Sequence, residues 1–429
     1  MYTMGERYVY VGMVISLAIS AVGFPSTGER FVLRPSWCPP FVLMLIVHMG
    51  KWIPAAAALA LSSAAAFPDF FVPRAAAAAL FSIYSLQHHA IVGTHFEQLA
   101  NWGLWAMAIF PPGPSRGAVL RVIVAHHLGA AGFLKGRVGG ISWANPLTML
   151  EMCKEFAPTA AVLDFVSTGP RTLISMLGWG GLLSEAIIFP AAVILVRDRT
   201  SAFYVVVALT AFHAGALVLV SMFFVHNIPI YAAALLLDTP KTSMPPEAWA
   251  LIGFLSMITL FAIEDWPFSH MGLFPYSGAQ LVDFKNRFGG SLRLIAAAHG
   301  AENFEGKQIR DSGAVDVIAW ALHASVPTCS TQWEGGGRFG VATFWAKAWF
   351  SLHEIDLAKE PFGAVTAALR SIGKKNLLWD TTVNAPISNF FVVKLKDGTG
   401  DEFVIHEVLA DSTKIDQCDG SSVEKPKKS

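Results

Sequence analysis

Charge is scarce in this chain. Only 14% of its 429 residues are Asp, Glu, Lys or Arg, where a soluble domain carries about 25%. Net charge is zero, so there is no excess of basic residues to bind nucleic acid. Cysteine is scarce too. Cys38, Cys153, Cys329 and Cys418 are scattered, with no CxxC and no His/Cys spacing of a zinc site. Neither a disulfide framework nor a structural zinc site is supported by that pattern. No GxSxG elbow, P-loop, HExxH or aspartate-rich NDxxD motif occurs. The one glycine run, GGGRFG at Gly335–Gly340, reads as a turn rather than a phosphate cradle.

What the chain has instead is apolar length. Hydrophobic residues make up 54% of it, and the mean hydropathy is +0.49. Met1–Glu264 holds 14 of the 31 Lys/Arg and 12 of the 31 Asp/Glu, leaving 17 and 19 for the last 165 residues. That asymmetry predicts a polytopic membrane bundle over 1–265, a small soluble α+β domain over 266–415 and a disordered lysine-rich tail over 416–429. The expected fold class is mainly α.

A spanning helix needs roughly 20 apolar residues, and nine stretches approach this. They are Tyr8–Phe24, Phe41–Phe67, Ala75–Val92, Phe96–Phe110, Ala118–Leu134, Leu173–Val196, Ala202–Met222, Phe224–Leu237 and Ala248–Ile263. The first resembles a signal peptide, but the many apolar segments behind it favour a first membrane helix. Lys51 and Pro54 interrupt the second, which is one kinked span or a re-entrant piece followed by a span. About eight or nine membrane helices are therefore expected, in an integral multi-pass protein. Loops such as FPPGPSRG and LLLDTPKTSMPPE cluster Pro, Gly and charge, which end helices and return the backbone to water. Beyond Glu264, SLRLIAAAHG is a short strand or helix. WAKAWFSLHEI and FGAVTAALRSIGKK read as amphipathic helices. NFFVVKLKDGTGDEFVIHEVL reads as a β-hairpin around a Gly/Asp turn.

An ionisable side chain at bilayer depth costs about 2.5–3.5 kcal/mol on insertion scales, so each one needs a partner or a function. LQHHAIVGTHFEQLANW carries His88, His89, His95, Glu97 and Asn101. Thr94 and Glu97 have capping-box spacing, while His95 stands at the helix start, where a neutral imidazole could relay a proton. In AHHLGAAGFLKGR, His127 and Lys135 are eight residues apart and share a helix face. Gly129 and Gly132 permit close approach by another backbone. Lys135 is either an anchor that snorkels to the headgroups, as Arg137 could, or a base, because an amine in an apolar site gives up its proton more readily. Glu185 lies deep in LLSEAIIFP, protonated or paired with a cation such as Lys135 or a histidine. His213 sits in mid-helix, with His226 and Asn227 beyond it.

The order of these pieces resembles the HTTM family, the membrane domain shared with vitamin K-dependent γ-glutamyl carboxylase. The residues that carry the resemblance are GAAGFLKGRVGGISW, LLSEAIIFP, TAFHAGALVLVSMFFVHNIPIY and DWPFSHMGLF, within Ala75–Phe274. The resemblance implies a base at Lys135 that deprotonates a quinol-like lipid, a participating His95, and His213 at the family's F/Y-H position. Lys135, His95 and Glu185 are the candidate catalytic residues. His213, His127 and Trp143 are the candidates for lining the cofactor or substrate site. The implied chemistry is oxygenation, epoxidation or carboxylation of an isoprenoid or quinone-type membrane lipid, with a vitamin K-like quinol and O2 as its co-reactants and no resident metal. An endomembrane, the endoplasmic reticulum above others, is the expected location. Two departures stand against a protein carboxylase: an extra GRVGG separates the lysine from its Trp, and the tail after Phe274 is short. The alternative is a non-catalytic lipid-binding or scaffold protein.

Overall fold

In a computed structural model, residues 2–22, 31–34, 37–92, 97–157, 159–220, 224–237, 244–260, 264–265, 268–269, 278–279, 282, 292–300, 304–309, 311–316, 378–387, 389–396 and 404–411 are described. Two compact units result, one holding all the described helices and the other nearly all the strands.

The helical unit begins with α1 (Tyr2–Val22), α2 (Pro40–His48) and α3 (Trp52–Ala66). Then come α4 (Phe71–Val92), α5 (Gln98–Ile109) and α6 (Pro114–Gly139). After α6 follow α7 (Pro146–Phe156), α8 (Ala160–Thr168), α9 (Arg171–Leu183), α10 (Phe189–Leu195) and α11 (Arg199–Val220). The last two are α12 (Asn227–Ala232) and α13 (Pro246–Leu260). All nine apolar stretches are thus largely helical. The interruption in the second is a real break: α2 and α3 bend by 81° about Gly50, whose φ of +50° suits glycine. Pro54 is tolerated in the first turn of α3.

The count of eight or nine membrane helices is not met. Among the described residues, three helices are long and apolar enough to cross a membrane, Pro114–Arg137, Arg171–Leu195 and Arg199–Val220, with a fourth if the bent α2–α3 pair counts as one span. Length is one reason. α5, the Asn227–Leu237 run and α13 have 12, 11 and 15 residues, or about 18, 16 and 22 Å at 1.5 Å per residue, short of a ~30 Å hydrocarbon layer. Polar content is the other. α4 carries Arg74, Gln87, His88 and His89. α5 is packed inside the bundle, with Leu99, Ala100, Leu104 and Met107 all buried.

α6 is the axis of the unit. α5, α9, α10, α12 and α13 all pack on it, and 72% of its apolar window is buried. α9–α10 and α11 form the outside, with 17% and 22% of theirs buried. Leu173, Met176, Ile187 and Leu195 on the first, and Phe203, Tyr204 and Val218 on the second, are exposed.

Polar contacts mark both ends of α6. Arg116 in its first turn is fully buried and pairs with Glu6 of α1 at 2.7 Å. Arg121 donates from Nε to the Ala234 carbonyl (3.2 Å) and from Nη1 to the carbonyls of Val193 and Val196. Those last two belong to the final turn of α10, where orphan carbonyls and the helix dipole favour a cation. Lys135 lies near the other end, nineteen residues beyond Arg116, or about 28 Å along the axis.

Two helices, α7 and α8, stand where no apolar stretch predicts any. Their start signals are nevertheless written in the chain. Asn145 Oδ1 accepts from Leu147 N–H, with Pro146 at the first helical position, and Thr159 Oγ1 accepts from Val162 N–H.

The second unit is built of β1 (Phe31–Leu33), β4 (Leu292–Ala297), β5 (Val315–Asp316), β6 (Leu378–Asp380), β7 (Ala385–Pro386), β8 (Asn389–Leu395) and β9 (Ile405–Asp411). A small pair, β2 (Glu264–Asp265) and β3 (Phe268–Ser269), belongs to the helical unit. The antiparallel order is β5-β4-β8-β9 in one sheet and β1-β6-β7 in another. SLRLIAAAHG therefore resolves into a strand, and the expected hairpin is present as β8 and β9. Phe304 and Phe391 meet edge to face at 4.9 Å in its core, with Ile295, Val393 and Ile405 around them. The two expected amphipathic helices, the hairpin's DGTGD turn, the GGGRFG run and the 416–429 tail lie outside the described residues.

Candidate functional site

The LLSEAIIFP stretch folds as α9, a π turn at Ser184–Ile188 and then α10. Pro190 explains the turn: a proline ring clashes with the carbonyl four residues back and has no N–H to give, so the helix widens ahead of it. Phe189 N–H accordingly bonds Ser184 O, five residues back. The widened turn presses against α6 at Gly132, where an added Cβ would lie 2.3 Å from the Ala186 backbone nitrogen. Only glycine permits that approach, and it brings Glu185 and Lys135 together.

Lys135 Nζ donates to Glu185 Oε2 in an ion pair whose side chains are 9% and 13% exposed. The chain then turns back at Gly140 (φ +60°) into a short 3₁₀ turn, Ile141–Ala144. That return sets the Trp143 ring over Lys135, with Nζ 5.0 Å from the ring centroid, a cation–π distance. The GRVGG insertion therefore does not part the lysine from its tryptophan. Arg137, two residues on, is exposed.

A polar string leads from this pair into the bundle. The Lys135 ammonium lies within electrostatic range of the His213 ring on α11. His213 Nε2 shares a 2.6 Å hydrogen bond with Tyr231 Oη, and the two rings lie nearly parallel, 5.6 Å apart. Asn227 stands one turn before Tyr231 on α12. Asn227 Nδ2 stands 3.5 Å from His127 Nε2 on α6. Next along α6, His126 Nε2 bonds Thr259 Oγ1 of α13 at 2.8 Å. A cavity of about 20 Å³ beside His126 and His127 has room for a single water.

Of the six residues singled out from sequence, Lys135, Glu185, Trp143, His213 and His127 are thus joined in one neighbourhood. His95 lies outside the described residues. Tyr231 is the member that sequence reasoning missed. The only signal was its place at the end of the same HNIPIY run as His226 and Asn227, four residues after Asn227.

A second buried cluster lies across α12. Glu97 takes the N-cap position of α5, but its carboxylate does not cap the helix. It pairs with His88 Nδ1 at 2.9 Å, while Thr94, the other member of the expected capping box, lies outside the described residues. His226 Nε2 bonds Ser20 Oγ at 2.9 Å, and Tyr84 stacks on His88 with ring centroids 6.0 Å apart. Adjacent residues of one chain segment, His226 and Asn227, thereby serve the two clusters. Among the described residues, no group of three or more His, Cys, Asp or Glu is arranged to hold a metal ion.

No protein-family model matches the chain, and neither a curated protein nor a solved structure is significantly similar to it.

Proposed function

We propose that this chain is an integral membrane protein of the HTTM kind, acting on an isoprenoid or quinone-type lipid in an endomembrane, with Lys135 as its base. One observation supports the reading above the others. A buried lysine lies in the last turns of the most buried membrane-length helix, a carboxylate and an indole face meet it, and the His213–Tyr231 pair lies within electrostatic range. Its proton has somewhere to go. Moving it from Nζ to the Glu185 carboxylate leaves a neutral amine beside a neutral acid, and the amine can then take a proton from a lipid hydroxyl. The lipid is left as an oxyanion, electron-rich enough to react with O2. Trp143 would hold the cation once it re-forms.

A second reading, a non-catalytic lipid-binding or scaffold protein, is favoured by the ion pair itself, since paired buried charges also serve purely structural ends. The two are separated by assaying quinol-dependent O2 uptake and lipid products with wild type, Lys135→Ala and Lys135→Arg in detergent. Turnover in the wild type that falls by about 10²–10⁴-fold in both folded variants sustains the catalytic reading. No turnover in any protein, across several quinols and isoprenoid lipids, leaves the binding reading.

A further inference from the structure

Opposite the Lys135 face, α6 borders a feature that this reading does not use. At 100° per residue, Val119 and Ile123 lie on one stripe of α6, and Arg121, Gly132 and Lys135 form the stripe about 180° away. The first stripe floors a cleft of about 690 Å³, walled by α4, α5 and α13, within the ~300–1,000 Å³ typical of ligand sites.

Its lining is apolar: Trp102, Ala106, Ile109, Leu251 and Phe254 among others. The polar groups in the wall are occupied with one another. Trp105 Nε1 donates to Ser82 Oγ (2.9 Å), and Ser82 Oγ stands 2.5 Å from Asn101 Oδ1 and 2.8 Å from Ala78 O. Such a wall offers hydrocarbon a dry surface and a polar ligand little to bind. The lip is apolar and exposed, with Ile109 61%, Phe254 47% and Trp105 36% accessible. An occupant therefore enters from lipid rather than from water. At one end stands a single charge, the exposed Glu247 in the first turn of α13, whose neighbour Ala248 shares an apolar cluster with Ala118 of α6. That end lies about 3 Å along α6 from Arg116, towards one limit of the span.

From this geometry we infer that the cleft binds one chain of a membrane phospholipid whose headgroup carries an ammonium, the chain lying along α5 and α6 and the ammonium facing the Glu247 carboxylate. The site is separate from the Lys135 pair. It depends on the protein lying in a membrane and not on any chemistry at Lys135.

The test is photolabelling in nanodiscs with a phosphatidylethanolamine that bears a mid-chain diazirine, mapped by peptide mass spectrometry. Label is expected to concentrate on 101–110 and 247–254 and to disappear from them in Ala250→Phe, which narrows the cleft at an exposed position and leaves the core alone. Unlabelled phosphatidylethanolamine should compete about fivefold better than phosphatidylglycerol, the equivalent of roughly 1 kcal/mol for one interfacial charge. Glu247→Lys should reverse that order. Label spread evenly over α9–α11, or unaffected by Ala250→Phe, would overturn the site. Equal competition by the two lipids would overturn the headgroup assignment. Lys135→Ala should label as the wild type does, so a failure of the catalytic reading stays distinct from a failure here.

Discussion

Arg116 and Lys135 stand near opposite ends of α6, each buried and each paired with a carboxylate from another helix. Their chemistry differs all the same. Arg116 meets Glu6 with both side chains at most 2% exposed, and a guanidinium keeps its proton in any protein setting. That pair can only hold α1 against α6. Lys135 meets Glu185 with both side chains slightly more open, and an amine can exist neutral. One pair is a fastener; the other is a fastener that can also exchange a proton. The lesson is that burial and pairing do not by themselves mark a reagent. The identity of the cation and what surrounds it decide.

The sharpest way to break this comparison is Lys135→Arg. It keeps the charge next to Glu185 and should preserve thermal stability, yet abolish any turnover by about 10²–10⁴-fold. The reverse exchange, Arg116→Lys, is expected to leave turnover intact. If the two swaps affect activity equally, the distinction fails. Next in size is Glu6→Gln. Removing one partner of a fully buried pair is expected to cost about 3–5 kcal/mol, read as lowered unfolding temperature in detergent, and Arg116→Met in the same chain should restore part of it. A stable Glu6→Gln protein would mean that Arg116 is held by other groups.

Gly132→Ala tests the helix contact that creates the Lys135 pair. Its Cβ would meet backbone, so the helices must move apart, at about 1–3 kcal/mol. Turnover should fall with it, whereas Gly129→Ala, whose nearest neighbour is the Pro190 ring at 3.5 Å, should be tolerated. Smallest is Tyr231→Phe. Losing the hydrogen bond to His213 is expected to cost about 0.5–1.5 kcal/mol. A cost no larger than that of Tyr204→Phe on the exposed side of α11 would remove Tyr231 from the string.

Much of this was legible beforehand. Apolar runs located the helices, and Lys51 with Pro54 flagged the break that became the α2–α3 bend. Alternating β-branched and aromatic residues around a Gly/Asp turn marked β8 and β9. Lys135, Glu185, His213 and His127 stood out because a polar group in an apolar run is costly anywhere. The span count was overestimated because hydropathy measures a residue's preference for any dry place. Protein interior and lipid are equally dry, so the packed α5 and the outward-facing α9–α10 read alike. The Glu97 pair was hidden for a related reason: its partner His88 comes from the preceding helix.

By itself, then, the chain determined a mainly helical protein with a small β portion, the stretches that form helices, and the polar residues that need partners. Those properties follow from periodicity and transfer energies, which act over a few neighbouring residues. Tertiary structure alone decided that Glu185 meets Lys135 across fifty residues, that Trp143 returns over the same ammonium, and that Tyr231 completes the contact to His213. It also decided which apolar helices face inward. Each of these turns on distance between elements, and a charge pair or a hydrogen bond exists only where the fold brings its atoms within a few ångströms.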